Sequence, residues 1–231
     1  MEQSLNSAAW KLYSQITPAK GLQYLKDMHF KGICDTDYGL APSLGGFTKG
    51  MSALEMAAGY ATLENDGVYR KPTCIKKIVD AAENIVYVSD NTGTQIYRET
   101  AARMMTDVLR TTMDDGTPSK AKLEGMPCAG KTGTTNDNKD GWFVGYTRYY
   151  TTSVWVGYDM PKEVEDLWGS SYPAMIWKDY MTEIHENLTP MNFLPYAQLS
   201  PEFMEQYYPT ESESEEQVED GEEILEEEPE V

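Results

Sequence analysis

Five consecutive residues, Lys131-Thr132-Gly133-Thr134-Thr135, combine a cation, hydroxyl groups and a glycine in one short stretch. An ammonium group can hold a carboxylate through a charge-assisted hydrogen bond, which contributes roughly 1.5–3 kcal/mol. If the stretch is a strand at a sheet edge, its backbone can pair with an extended peptide, and a glycine leaves room for close approach. Alternate strand residues point to opposite faces, so Lys131 should share one face with Gly133. Thr132 and Thr134 should share the other. The stretch therefore predicts one wall of a cleft for acyl transfer.

The same lysine also completes a literal phosphate-loop pattern, G-x-x-x-x-G-K-[ST], which runs from Gly125 to Thr132. That pattern binds nucleotides only when a buried strand leads into it and a helix follows, because backbone N–H groups and the helix dipole must face the phosphates. Here residues 119–124 are polar and residues 133–138 are poor helix formers. The context favours the peptide-binding strand, and nucleotide binding remains the alternative.

The elements that must position this stretch are helices, then strands in series and a closing helix. Apolar residues recur at helical spacing over residues 5–16, 18–28, 53–63, 98–113 and 173–188, and short β-type runs occupy residues 74–79 and 85–88. Three further β-type runs, 127–135, 142–147 and 150–158, are separated by short polar links that favour antiparallel neighbours. This order predicts an α+β fold, with helices packed on an antiparallel β-sheet.

Three of the predicted helices have a marked apolar side. In the helix near residues 98–113 the side expected to be buried consists of Ala102, Met105, Val108, Leu109 and Met113. In the last helix it consists of Ile176, Tyr180, Met181, Ile184 and Leu188. The apolar side of the first helix, with Leu5, Leu12 and Ile16, should be exposed unless another segment covers it.

Composition excludes several classes of function. The formal charge is −19, and residues 211–231 hold twelve Asp or Glu and no Lys or Arg, which leaves about −7 for residues 1–210. A general nucleic-acid binder needs a basic stripe, which this balance argues against. No apolar run approaches the roughly 18 residues of a spanning helix, so we expect no membrane span in this chain.

The residue types that bind metals are sparse and scattered. Cys34, Cys74 and Cys128 are too few for a disulfide scaffold and do not form a CxxC site. His29 and His185 lie far apart without an acidic or Cys partner at ligand spacing. We therefore expect no metal and no cofactor.

Several motifs, in a consistent order, resemble the transpeptidase domain of class A penicillin-binding proteins. The K-T-G at Lys131 is a signature of that family, together with S-x-x-K and S-x-N motifs, and DGWFVGYT follows it at residues 140–147. Upstream, LGG at 44–46, GMSALEMA at 50–57, GVYRKP at 67–72 and Gly116-Thr117 resemble the same family. The resemblance covers about residues 4–188 and implies part of a β-lactamase/transpeptidase-like fold. It also implies a serine D,D-transpeptidase that cross-links peptidoglycan stem peptides and binds penicillin.

Two S-x-N candidates occur. Ser89-Asp90-Asn91 is the closer literal match but is typical of a polar turn. Ser4-Leu5-Asn6 starts a helix upstream of the Gly-Gly segment, where the family places this motif. The order favours Ser4 and Asn6, for which a simple helix cap is the structural alternative.

The family's nucleophile has no match at the expected place. The one literal S-x-x-K, from Ser119 to Lys122, follows the S-x-N motif instead of preceding it, so we interpret it as a solvated basic turn. The resemblance implies that the nucleophile should lie N-terminal to Met1. We therefore expect this chain alone neither to cross-link peptides nor to trap penicillin.

The resemblance implies a role for each matched residue. Ser4 would relay a proton, Asn6 would hold a substrate amide and Lys131 would polarise the cleft. The substrate-binding residues would be Thr132, Gly133 and Thr134, with the Thr134 N–H as half of an oxyanion hole. The partners would be D-Ala-D-Ala stem peptides, β-lactams and the missing N-terminal part of the protein.

The predicted organisation is the C-terminal part of a transpeptidase domain at residues 1–190, an extension at 191–208 and a disordered acidic tail at 209–231. The parent protein would act on the extracytoplasmic face of the bacterial membrane, although this chain has no recognisable signal or anchor. A non-catalytic module that binds stem peptides, or pairs with a fragment bearing the nucleophile, remains the main alternative.

Overall fold

The computed structural model describes residues 3–115 and 119–196. Its helices are α1 Asn6–Ile16, α2 Pro18–Asp27, α3 Ala53–Glu64, α4 Glu99–Asp115 and α5 Tyr172–Ile184. Its strands are β1 Val68–Tyr69, β2 Lys77–Val79, β3 Ile85–Val88, β4 Thr94–Gln95, β5 Ala129–Thr134, β6 Asp140–Tyr146 and β7 Thr151–Gly157. The α+β prediction is confirmed. The acidic tail predicted for residues 209–231, and all but residues 191–196 of the predicted extension, lie outside the described residues.

Local sequence signals set the ends of the helices. The Thr17 hydroxyl caps α2, and Pro18 occupies its first position, where the missing N–H costs nothing. Ser52 and Glu55 form a reciprocal capping box at the start of α3. The chain leaves α3 through Gly67 at φ +82°, a left-handed conformation that glycine adopts without strain.

β5, β6 and β7 form an antiparallel sheet in that order, as the three β-type runs in series predict. Phe143 of β6 faces α5, and its ring meets the edge of Trp177 with ring centres 5.0 Å apart. Tyr146 points to the opposite face and packs against Tyr60 of α3 and Leu109 of α4. The sheet therefore has α5 on one face and α3 and α4 on the other.

The buried face of α4 differs from the predicted one. The residues buried as predicted are Ala102, Leu109 and Met113. The prediction was wrong for Met105 and Val108, which are 37% and 39% exposed, whereas Thr106 and Thr112 are buried. These threonines can be buried because their hydroxyls have partners, such as the Tyr146 hydroxyl at 2.9 Å from that of Thr106.

α5 shows a similar rotation of its buried face. The residues buried in this helix are Pro173, Ala174, Trp177 and Met181. The prediction holds for Met181, and Ile184 and Leu188 pack partly buried against the same core. It was wrong for Ile176 and Tyr180, which are about half exposed. The reason is Trp177, whose indole packs over Gly145 and donates from Nε1 to the Gly145 carbonyl at 3.2 Å.

Among the described elements, α1 and the pair formed by β2 and β3 leave apolar side chains exposed. α1 has no buried residue, and Leu5, Trp10, Leu12 and Ile16 are each 42–58% exposed. β2 and β3 form an antiparallel hairpin in which every strand residue is exposed. Within the described residues, no helix is both long and apolar enough to cross a bilayer.

Candidate functional site

β5, which carries the Lys-Thr-Gly-Thr stretch, is an edge strand that pairs with β6 alone among the described strands. Directly opposed residues of an antiparallel pair share a face, so the register with β6 assigns the side chains. Lys131 and Gly133 lie on the face of α3 and α4. Thr132 and Thr134 lie on the face of α5. The predicted alternation is confirmed, and the two sets of side chains flank the open edge of β5.

The side chain of Lys131 reaches the beginning of the described chain. Its Nζ donates to Ser4 Oγ at 2.5 Å and to the Thr132 carbonyl at 3.0 Å. The N-cap of α1 is Leu5, without a side-chain cap, so the Ser4 hydroxyl does not serve as the helix cap. Ser4 has φ +49°, an uncommon conformation for a residue with a side chain. The structure therefore brings together two residues that the sequence placed in separate motifs.

Burial affects the charge of Lys131. Desolvation lowers the pKa of the Lys131 ammonium from its ordinary value of 10.5, because burial disfavours the charged form. Its hydrogen-bond partners among the described residues are a hydroxyl and a carbonyl, and neither neutralises it. A carboxylate that enters beside Nζ would meet a positive charge in a partly desolvated place, where electrostatic attraction exceeds that in bulk water.

α4 holds β5 one residue before the lysine. Thr112 Oγ1, which is fully buried, donates to the Gly130 carbonyl at 2.6 Å. In an antiparallel ladder the N–H and C=O of one residue point to the same side, and this side alternates along the strand. The Gly130 and Thr132 carbonyls both accept from side chains outside the ladder. The same alternation directs the backbone N–H of Thr134 to the open edge.

The Thr134 hydroxyl meets the loop that leads into α5. The Gly169 N–H donates to Thr134 Oγ1 at 2.9 Å. A Cβ on Gly169 would lie 2.5 Å from the Trp142 carbonyl oxygen and 2.6 Å from that of Gly133. Neither Gly169 nor Thr112 belongs to a motif that predicts contact with β5. The one sequence signal for Gly169 is glycine itself, which allows close approach of two backbones.

Asn6, the other member of the predicted S-x-N motif, begins α1 two residues after Ser4. Its side chain is exposed, and no hydrogen bond among the described residues joins it to β5. The proposed contact of Asn6 with a substrate amide therefore stays a prediction.

The competing motifs lie away from the open edge of β5 or lack the elements that they require. Ser89 to Asn91 lie in the irregular segment between β3 and β4, where the Asp90 carboxylate accepts from the Thr92 N–H at 2.9 Å. Lys122 follows a short 3₁₀ turn and pairs with Asp114 at 2.5 Å. The glycine, lysine and threonine that end the phosphate-loop pattern lie inside β5, and a short 3₁₀ turn follows instead of a long helix.

His185 is buried, and both of its ring nitrogens have hydrogen-bond partners within the fold. His185 Nε2 shares a hydrogen bond with the Thr147 hydroxyl at 2.8 Å, and its Nδ1 shares one with the Met181 carbonyl at 2.6 Å. Cys34, Cys74 and Cys128 are not disulfide-bonded. In the part of the chain that the structure describes, no three His, Cys, Asp or Glu side chains are grouped as a metal site.

Comparison with known proteins points to one family. Residues 1–182 match the family model described as penicillin binding protein transpeptidase domain. The chain is 37% identical over 175 residues to Penicillin-binding protein 4 of Bacillus subtilis, covering 76% of this chain and 28% of that protein. It is 32% identical over 190 residues to Penicillin-binding protein 1A of Clostridium acetobutylicum, covering 82% of this chain and 23% of that protein. The chain therefore spans about a quarter of the length of these relatives.

Among solved structures, the chain is similar to the penicillin-binding protein PonA1 from Mycobacterium tuberculosis. The identity is 25% and the TM-score 0.76, with 85% of this chain and 57% of that one covered. A second PonA1 structure, in complex with penicillin V, gives a TM-score of 0.74 at the same identity, with 85% and 58% covered.

Proposed function

Because this chain belongs to the penicillin-binding protein transpeptidase family, we propose that it forms one wall of the active site of a serine D,D-transpeptidase. The observation that carries the proposal is the hydrogen bond between Ser4 and Lys131, which joins an S-x-N serine to a K-T-G lysine beside an open strand edge. The substrates would be peptidoglycan stem peptides that end in D-Ala-D-Ala. The nucleophilic serine would come from outside these 231 residues.

The proposed reaction is a two-step acyl transfer. The serine oxygen attacks the carbonyl carbon of the penultimate D-Ala and loses its proton to a base. The C–N bond then breaks, and the terminal D-Ala leaves as an amine after it takes up a proton. An amine of a neighbouring stem attacks the resulting ester, forms the cross-link amide and releases the serine, whose oxygen regains a proton. A β-lactam would acylate the same serine when its ring opens.

The geometry at Lys131 suits the departure of D-Ala. Ser4 Oγ accepts a hydrogen bond from Nζ, so its own hydrogen can pass to the leaving nitrogen while Lys131 replaces it. The proton transfer would thus run along a contact that is already formed. Asn6 would hold an amide of the substrate from the other end of the S-x-N motif.

The strand edge suits the carboxylate and the oxyanion. The Lys131 charge and the hydroxyls of Thr132 and Thr134 would hold the terminal carboxylate, and Gly133 would let the peptide approach. The Thr134 N–H would be one of two oxyanion-hole donors, and the nucleophile's own N–H would be the other. Removal of one such donor typically costs roughly 2.7–4 kcal/mol of transition-state stabilisation.

The protein that contains this chain would act on the extracytoplasmic face of the bacterial cell membrane, where peptidoglycan is cross-linked. Similarity to PonA1, solved with penicillin V, supports β-lactams as ligands. A non-catalytic module that binds stem peptides is the second candidate. The observation that favours it is the position of the one S-x-x-K, in a turn where Lys122 pairs with Asp114.

The test is an NMR titration of the 231-residue chain with diacetyl-lysyl-D-Ala-D-Ala. We expect shifts of the amide signals of Ser4 and of residues 131–134, saturating with one site. Shifts confined to other residues, or none at millimolar peptide, would refute the proposal. A fluorescent penicillin should not remain attached after denaturation, and retained label would place a nucleophile inside the chain. An in-frame S-x-x-K in the coding DNA upstream of Met1 would favour the enzyme over the binding module.

A further inference from the structure

The loop before α5 is held in a fixed shape against the sheet. Leu167 is fully buried and packs on Gly141 of β6. Ser171 closes the loop, because its Oγ accepts from the Trp168 N–H at 2.9 Å and its one hydrogen lies within reach of the Trp168 and Asp166 carbonyls, at 2.8 and 3.1 Å. The residue between these anchors, Gly169, is therefore presented to β5 by a loop fastened on both sides.

Gly169 is buried and lies directly on the backbone of the β5–β6 pair. Besides the two carbonyl oxygens, an added Cβ would stand 2.9 Å from the Gly133 nitrogen. All three are backbone atoms, which cannot turn aside as a flexible side chain can. Even an alanine would have to lift the loop from the strand, and this would break the contact between the Gly169 N–H and Thr134 Oγ1.

That contact fixes what the Thr134 hydroxyl can offer. A hydroxyl has one hydrogen to donate and two lone pairs that accept. The Gly169 N–H occupies a lone pair, so the hydroxyl hydrogen must point elsewhere. Among the described residues no acceptor takes this hydrogen, and it remains available to an acceptor at the strand edge.

We propose that Gly169 is a positioning residue that orients the Thr134 hydroxyl as a donor, so that the site selects a free terminal carboxylate over a terminal carboxamide. This inference rests on the proposed function of the strand edge. Both oxygens of a carboxylate can accept the hydroxyl hydrogen. In a carboxamide one of the two terminal atoms is an NH₂ nitrogen, which cannot accept it. Gly169 thereby acts through Thr134 on a ligand that it does not touch.

The experiment compares dissociation constants for diacetyl-lysyl-D-Ala-D-Ala and its C-terminal amide. In the wild-type chain the acid should bind more tightly, and Gly169→Ala should reduce the acid-to-amide preference about tenfold, the effect of one charge-assisted hydrogen bond. Thr134→Val should reduce it similarly, and the double variant should show no further loss. Ser170→Ala, in the same loop, is the matched control and should keep the wild-type preference.

The outcomes separate this inference from the function on which it rests. If the wild-type chain does not bind the acid peptide, the proposed function fails. If it binds with preference but Gly169→Ala keeps that preference, or if the two losses add, the inference fails alone. If Gly169→Ala does not fold, Thr134→Val still decides, because an unchanged preference in that variant removes the hydroxyl from the selection.

Discussion

Ser4 and Lys131, 127 positions apart in the sequence, share a hydrogen bond of 2.5 Å between Oγ and Nζ. Its two ends depend on different parts of the fold. Lys131 is carried by β5, which β6 and α4 hold in place. Ser4 precedes α1, which packs on the 3₁₀ turn Ala41–Leu44. The hydrogen bond therefore depends on the packing of both β5 and α1. A substitution far from Lys131 that moves α1 should change the position of Ser4.

Lys131→Met should weaken binding of the D-Ala-D-Ala peptide at least about tenfold, because it removes the charge that attracts the carboxylate. The variant keeps the apolar stem and removes a desolvated ammonium, so its free energy of unfolding should be equal to or above that of the wild type. Calorimetric titration and urea unfolding measure the two quantities. Lys49→Met, at an exposed lysine, is the control and should change neither. Undiminished affinity in Lys131→Met would contradict the role of the lysine.

Peptide affinity should also fall as the pH rises through the pKa of Lys131, which desolvation places below 10.5. The sign follows from the ligand, because the carboxylate prefers the protonated lysine and that form disappears above the pKa. For folding the sign is opposite: the cost of burying the charge is full below the folded pKa and disappears as the pH rises toward 10.5. In Lys131→Arg this fall in peptide affinity should be absent below pH 10.5, because a guanidinium keeps its proton. An identical pH profile in the arginine variant would show that another group titrates.

Thr112→Val should destabilise the chain by about 1–3 kcal/mol, since it leaves the buried Gly130 carbonyl without its side-chain donor while preserving shape. Among the described residues, the neighbouring Thr111 hydroxyl has the Val108 carbonyl of its own helix as its one partner. Thr111→Val is therefore the control, expected to change the free energy of unfolding by less than about 0.5 kcal/mol. Urea unfolding followed by circular dichroism measures both. Equal effects of the two variants would mean that the bond to β5 contributes nothing.

The strand and the alternation of its side chains could be predicted because they rest on local pattern. Ser4 is assigned to the site by the order of the family's motifs, and its hydrogen bond with Lys131 is known from the structure alone. Period-2 spacing defines a strand wherever it lies, and the short links in the meander leave antiparallel pairing as the simple solution. The helix ends were equally local: Ser52 and Glu55 satisfy each other within one turn.

The predictions of the buried helix faces were wrong where a contact with a distant part of the chain determines which side chain is buried. Met105 belongs to the apolar pattern of α4, yet Thr106 is buried in its place because the Tyr146 hydroxyl, 40 positions away, meets its own. In α5 the choice of face depends on Trp177 finding Gly145 on β6. Gly169 escapes prediction for the same reason, since its contact with Thr134 exists only after the sheet and the loop meet. Hydrophobic spacing cannot report such long-range pairs.

Asp37→Asn should lower Tm by several degrees at pH 7. The Asp37 carboxylate is 2% exposed and accepts from the Cys34 N–H at 2.7 Å and from the N–H and hydroxyl of Thr48 at 2.8 and 2.7 Å. The Cys34 N–H and then the Thr48 groups hold the pKa of Asp37 below 3.8. This stabilisation is complete above the unfolded value and is lost as the pH falls through the folded pKa, so wild type and variant should converge in strong acid.

Asp35→Asn supplies the comparison, because Asp35 is exposed in the same short 3₁₀ turn, Asp35–Asp37. Thermal unfolding of this variant should stay within about one degree of the wild type. The turn Ala41–Leu44 lies in the loop that Asp37 ties together and packs on α1. Asp37→Asn should therefore also broaden the NMR signal of Ser4. A sharp Ser4 signal together with a lowered Tm would show that the loop and the site are independent.

Leu12→Gln should reduce concentration-dependent self-association of the purified chain without loss of stability. Leu5, Trp10, Leu12 and Ile16, in and just before α1, are exposed on a helix with no buried residue, and exposed apolar surface promotes association. Because Leu12 is 58% exposed, its replacement should change the free energy of unfolding by less than about 0.5 kcal/mol. Sedimentation velocity over a range of concentrations measures the effect, with Val86→Gln on the exposed β2–β3 hairpin as the alternative surface. If Val86→Gln reduces self-association and Leu12→Gln does not, the β2–β3 hairpin and not α1 forms the contact between copies of the chain.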